Sequence, residues 1–263
     1  MLEYAFMQRA LLAAVGIGLV CGALGFFVVL RRLAFIGVGI SHSAIGGVAL
    51  GLVLGVSPLA MGGLFAVAVA LGIAAVGRRA AVGQDAVIGV FFSGAMALGI
   101  VLFSLQRGGR QDLFGYLFGN VLAISGAELA ALGVLGGTTL ALLAATFRRQ
   151  LFVAFDEEVA RAYGHRVGRL DTLLLVLLAA TVLVGVRLVG VLLIEALLVV
   201  PAAAAALWAA NYRGQLVLST LFAVGSGVAG LALAWHFELA AGATIALVAV
   251  AIFFASVLAR RTR

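Results

Sequence analysis

The sequence contains no lysine, and that absence removes one class of function at once. A P-loop needs the lysine of its GK[ST] to hold nucleotide phosphates, so this chain cannot power itself as an ATPase of that type. A single cysteine, Cys21, excludes an internal disulfide and any CxxC metal or redox motif. It lies within an apolar run and reads as a small core residue. There are only three histidines, no HExxH, and two prolines, so no closed metal triad is visible and long helices can run almost unbroken. Charge is scarce as well, at 10% of residues against 65% hydrophobic, a balance no water-soluble single domain has.

What is present is apolar sequence in long runs. A crossing takes ~20 residues, and nine candidate windows recur: roughly 10–30, 36–55, 58–77, 86–105, 127–147, 170–187, 188–209, 216–235 and 241–259. The break at 187/188 is the faintest of these, with Arg187 the one polar residue between the two windows. The fold class is therefore all-α, a polytopic transmembrane bundle of eight or nine spans forming one domain over residues 1–263. The first apolar run is too long for a signal-peptide core and reads as a retained helix.

The net charge of +7 is carried by 17 arginines, and all of them fall in or near the gaps between apolar runs. That placement argues against nucleic acid as a partner and for membrane lipid. If the face bearing residues 151–168 is cytoplasmic, alternation puts Arg31, Arg32, Arg78, Arg79, Arg148, Arg149, Arg161, Arg166, Arg169, Arg213, Arg260, Arg261 and Arg263 inside. Arg9, Arg107, Arg110 and Arg187 remain outside. Thirteen against four follows the positive-inside bias and orients the chain with its N-terminus out and its C-terminus in the cytoplasm.

The longest polar interruption between spans on that inner face is Leu151 to Gly168. Asp156 can cap a short helix, Glu157 and Glu158 fill its first turn, Arg161 follows, and Gly164 sits where the helix would end. Phe155, Val159, Tyr163 and Val167 recur every four residues as one apolar stripe. Such a helix either docks a soluble partner or rests on lipid headgroups. On the opposite face, residues 106–126 form the longest segment, and Asp112 to Ile124 is too polar to span and too aromatic to float free. It reads as an interfacial helix or a re-entrant piece.

Inside the apolar runs, few side chains can do chemistry. Gly39, Ser43, Gly47, Gly51 and Gly55 recur every four residues, so one side of the second span is nearly bare backbone and suits close helix packing. Beside that stripe, His42 stands between Ser41 and Ser43. A histidine at membrane depth must face protein or a polar pathway, and both remain open. Asp85 opens the fourth span as a first-turn acid. Ser93 is the only strongly hydrogen-bonding side chain in the middle of that span. Glu195 is the most expensive residue in the chain, at ~2.5–3.5 kcal/mol on an insertion scale, and reads as about two turns below the outer surface. It serves either structure or a passing cation. Pro201 further along removes one backbone hydrogen bond and is expected to kink the helix.

Several of these stretches together resemble a known family. Phe35 to Gly51, Asp112 to Asn120, Phe155 to Gly164 and Val189 to Ala203 are similar to signature segments of the membrane permeases of zinc, manganese and iron ABC importers. The likeness runs through almost the whole chain in order. It implies a type II importer permease, related in fold to the vitamin B12 importer permease, in a bacterial or archaeal cytoplasmic (inner) membrane. It also implies a homodimeric or pseudo-dimeric pore seated on two ABC ATPase subunits and fed by an extracytoplasmic metal-binding protein. No cofactor stays bound; the divalent metal, zinc first and manganese or iron next, is cargo.

Carried over, Phe155, Asp156, Glu157, Val159, Ala160, Tyr163 and Gly164 correspond to the coupling helix that meets the ATPase. His42 corresponds to a pathway histidine, and Asp85 to an acid at the start of span four. The chain departs at three positions. Several members have an acid at Val38, zinc-type members can have a histidine at Ser93, and a small or hydroxyl residue is common at Glu195. Glu195 is therefore expected to supply the negative charge the pathway otherwise lacks, with His42, Asp85, Ser41, Ser43 and Ser93 as the remaining pathway groups. The competing readings are a metal chelate as cargo and a proton-coupled secondary transporter. The latter calls for inverted repeats that the sequence does not display. An intramembrane enzyme lacks its nucleophile and base.

Overall fold

The structure, a computed structural model, describes residues 3–77, 83–105 and 124–261. Among them there is no strand, and ten helices follow in order: α1 (Ala5–Leu30), α2 (Ala34–Leu54), α3 (Pro58–Gly77), α4 (Gln84–Ser104), α5 (Gly126–Phe155), α6 (Glu157–Ala162), α7 (Val167–Val189), α8 (Val191–Trp208), α9 (Tyr212–His236) and α10 (Ala241–Arg261). Nine of the ten, all but α6, are long and apolar enough to cross a membrane. The polytopic helical class read from the sequence holds. Arg78, Arg79, Arg263 and the expected interfacial segment from Asp112 up to residue 123 lie outside the described residues.

The helix ends follow local chemistry. Pro58 opens α3 at the position where its missing N–H is no loss. Asn211 caps α9 by accepting from the Gly214 amide at 2.8 Å. Ser125 and Glu128 form a reciprocal capping box at the start of α5: the Ser125 amide and hydroxyl donate to Glu128, and the Glu128 amide donates to Ser125 Oγ. Gly55 ends α2 in the left-handed conformation, φ 66°, with open space around it. It is thus a helix terminator and not the last member of the packing stripe, because the chain must turn there toward Pro58.

Two further expectations need correction. The α7/α8 break falls at Gly190, φ 87°, and not beside Arg187, because only glycine turns so sharply there without a Cβ penalty. Arg187 accordingly lies within α7 and Glu195 on the next helix. The fifth span runs on to Phe155 and not to 147; its 30 residues make a helix ~45 Å long, well beyond the ~30 Å of a hydrocarbon core. Residues 151–155 are therefore the end of α5 and not part of a loop.

The chain forms two compact units. One comprises Met1–Arg32, Gly115–Leu140 and Val184–Arg263. In it α1 packs on α8 and α9, and α8, α9 and α10 pack on one another. Close approach is set by glycine: a Cβ on Gly18 would meet the Val224 backbone at 2.9 Å, one on Gly22 the Thr220 Cα at 2.5 Å, and one on Gly25 the Leu198 carbonyl oxygen at 2.2 Å. The GxxxG spacing of Gly18 and Gly22 is a helix-packing surface. Ser219, fully buried, adds an interhelical bond to the Gly22 carbonyl at 2.7 Å. Trp235, near the end of α9, stacks against Tyr4 and Phe6 at ring-centroid distances of 5.6 and 6.1 Å.

The other unit comprises Leu33–Phe114 and Ala141–Leu183. Here α2 is gripped between α3 and α4 by its bare side. A Cβ on Gly39 would meet Ile88 at 2.9 Å, one on Gly47 the Gly62 Cα and the Met61 carbonyl at 2.8 Å, and one on Gly51 the Pro58 Cα at 2.8 Å. Gly47→Ala should therefore destabilise the fold by ~1–3 kcal/mol through overpacking against backbone that cannot yield. A thermal melt of the purified permease checks this, and an unchanged midpoint contradicts the close fit.

Candidate functional site

His42 lies on the α4 side of α2, between the Gly39/Ile88 and Gly46/Ala95 contacts. Its ring meets Phe92 edge-on at 5.3 Å between centroids. Nδ1 donates to the Val38 carbonyl at 3.1 Å, one turn back on the same helix. A carbonyl can only accept, so in a neutral ring this bond puts the proton on Nδ1 and leaves the lone pair, by which imidazole binds a cation, on Nε2. The ring is half-buried. Phe92, one residue before Ser93, is the aromatic partner that sequence reasoning missed; only the α2/α4 packing puts it there.

The serines beside His42 behave differently. Ser41 and Ser43 are fully buried, and their hydroxyls donate to the Val38 and Gly39 carbonyls of their own helix. Such back-bonding is how hydroxyl residues sit within apolar helices. Asp85 is exposed in the first turn of α4, where the helix macrodipole favours an anion. Ser93 is exposed on α4, on the side where Gly89 and Gly94 look onto open space. His42, Ser41, Ser43, Asp85 and Ser93 all belong to the same compact unit, and Glu195 belongs to the other.

Glu195 is the fifth residue of α8, so it lies about one turn past the Gly190 break. It is half-buried. Ile194, Leu197 and Leu198 are buried on the packed face, whereas Leu192, Glu195 and Val199 form the less covered side. Helix α8 continues through Pro201 without a break. Arg187 pairs with Glu128 at 2.9 Å, tying the start of α5 to the end of α7. The Ser125-x-x-Glu128 spacing was the legible sign of that helix start, and the pairing itself was not legible. Among the described residues no group of three or more His, Cys, Asp or Glu could hold a metal ion.

The polar elbow is the most completely built part of the candidate machinery. Asp156 caps α6 by accepting from the Val159 amide at 2.9 Å, Glu157 pairs with Arg161, and Gly164 turns the chain at φ 80°. Phe155, Val159 and Tyr163 are 65%, 39% and 76% exposed, an apolar face left largely uncovered by the described residues. Val167 departs from that stripe: it is buried, with Ala160, Val153 and Leu170, in a small core beneath α6. Ala160 is therefore an anchor and not part of the exposed face, because it faces the α5 and α7 ends.

Nine apolar helices of spanning length, with a short amphipathic helix carried on an overlong one, define among the described residues a polytopic membrane protein. The chain belongs to the ABC 3 transport family, whose model matches residues 3–260. It is 35% identical over 254 residues to the manganese transport system membrane protein MntC of Listeria monocytogenes, covering 97% of this chain and 90% of that one. It is also 35% identical over 255 residues to the manganese import system permease protein ScaB of Streptococcus gordonii, covering 97% and 91%. The solved structure of PsaBC from Streptococcus pneumoniae in complex with Fab superposes with a TM-score of 0.84 at 35% identity, covering 97% of this chain and 91% of that one. A metal-chelate type ABC transporter in an inward-facing conformation shares the fold, with a TM-score of 0.76 at 19% identity, covering 95% and 84%. The family expected from the four sequence segments is thus the family of the chain, an ABC permease of metal transport.

Proposed function

We propose that this chain is the permease of a manganese importer in a bacterial inner membrane, driven by separate ABC ATPase subunits and loaded by an extracytoplasmic metal-binding protein. The reading is carried by the full-length match to the ABC 3 transport family together with an exposed apolar face at Phe155, Val159 and Tyr163. Manganese takes the place of the zinc expected first from sequence, because the two relatives described above are named manganese systems. The imidazole, carboxylate and hydroxyl donors of this chain serve Mn²⁺ and Zn²⁺ alike, so the choice of manganese rests on the relatives.

In this reading two copies of the chain enclose the pathway, with α6 on the cytoplasmic side and the C-terminus inside. The cation meets few ligands in passing, because a closed cage would retain it. His42 offers its Nε2 lone pair, and Glu195 supplies negative charge; Asp85 and Ser93 on α4 line the route, and Ser41 and Ser43 hold the helix that carries His42. Uptake of Mn²⁺, presented on the metal-binding protein, into proteoliposomes containing permease and ATPase subunits tests the assignment. His42→Ala and Glu195→Gln should each lower the rate about tenfold or more, the loss of ~1.4 kcal/mol at one step. Parental uptake in either variant removes that residue from the pathway, and faster uptake of Zn²⁺ than Mn²⁺ by the parent restores zinc as cargo.

A further inference from the structure

The six residues of α6 are far too few to hold a helix by themselves. Tertiary contacts hold it instead, and one of them is polar. Gln150, on α5, is fully buried although Arg148 and Arg149 beside it are exposed. Its Nε2 donates to the Leu170 carbonyl on α7 at 2.9 Å. A carbonyl has two lone pairs, so this bond adds to the α7 ladder without displacing it.

Below it lies the small core of Val153, Ala160, Val167 and Leu170. Phe152 packs against that core and meets Tyr163 and His165 edge-on, at 5.8 and 5.5 Å between ring centroids. The His165 amide donates to the Ala160 carbonyl at 3.0 Å, closing the turn after α6. Apolar contact alone is non-directional and permits sliding. A hydrogen bond fixes distance and angle, so Gln150 sets the register of α5 against α7 just above α6.

We propose that Gln150 is a positioning residue for transport: it locks the end of α5, α6 and the start of α7 into one rigid elbow, so that force applied to α6 reaches both long helices together. This rests on the docking of α6 against an ATPase subunit. Without the bond, α6 still binds its partner, but α5 and α7 slip relative to each other and the stroke is partly lost. The signature is therefore a changed ratio of transport to hydrolysis with affinity for the ATPase retained.

The test uses the reconstituted permease–ATPase complex supplied with the metal-binding protein, with radiolabelled Mn²⁺ as the transported probe. Gln150→Met keeps the side-chain length and removes the donor; Gln150→Asn withdraws the donor by one methylene and serves if the first variant does not purify. The expected result is ATPase affinity within about twofold of the parent and Mn²⁺ imported per ATP hydrolysed reduced about fivefold or more. The same loosening predicts faster amide exchange at Ala160 and Gly164 in the isolated permease. A parental transport ratio together with parental exchange overturns the proposal and leaves Gln150 as packing. Failure of the docking reading shows separately, as parental ATPase affinity in a permease whose exposed α6 face carries aspartates.

Discussion

Placing aspartates on the exposed face of the elbow, in the double variant Phe155→Asp/Val159→Asp, abolishes ATPase docking and stops metal uptake while the permease itself stays folded. Both side chains are exposed in the chain, 65% and 39%, and neither belongs to the small core that seats α6. Tyr163 and its edge contact with Phe152 are left intact. Burying an apolar side chain in a partner contributes ~1.5–3 kcal/mol, and forcing a carboxylate into the same pocket adds a desolvation cost. Two such losses lower the affinity by more than about 100-fold. Co-elution with the ATPase subunit measures the effect, and an unchanged melting temperature shows that the fold is spared. Retained co-elution at parental affinity removes this face from the interface.

The second large effect belongs to the packing of α1. Gly22→Val sets a branched side chain where even a Cβ would lie 2.5 Å from the Thr220 Cα and 3.1 Å from the Ser219 carbonyl oxygen. Helices α1 and α9 must then separate, and the buried Ser219 hydroxyl loses its bond to the Gly22 carbonyl. Overpacking of ~1–3 kcal/mol and a lost buried bond of ~1 kcal/mol together lower the melting temperature by roughly 5–15 °C for a chain of this size. Gly225→Ala on α9 is the matched control, since a Cβ there meets nothing within 4 Å. It should leave the midpoint unchanged or raise it slightly through helix propensity. Equal losses in the two variants would show that close approach at Gly22 is not what holds α1.

The two variants divide the molecule by the kind of force each element depends on. The bundle is held by glycine-mediated contact between backbones, as expected where lipid supplies no hydrophobic drive between helices. The elbow is held by a cap, a φ-positive glycine and a few buried side chains, as in a water-exposed structure. The exposed apolar face of that elbow sits at and past the end of a ~45 Å helix, longer than a hydrocarbon core needs, and the aspartate variant tests whether a protein partner covers it.

The sequence by itself determined the spans, because twenty apolar residues in a row admit few structures other than a membrane helix. It determined the cap at Asp156, the stop at Gly164 and the packing role of Gly39, Gly47 and Gly51, since these follow from local backbone chemistry and four-residue spacing. Tertiary structure alone decided what depends on residues far apart in the chain. Phe92 against His42, Arg187 with Glu128, and Gln150 on Leu170 leave no local pattern to read. Periodicity assigned Val167 to the docking stripe and Gly55 to the packing stripe, but Val167 is buried with Ala160 and Gly55 turns the chain with φ 66°. Spacing reports which residues share a helix face; which face is covered, and by what, is fixed only when another helix arrives against it.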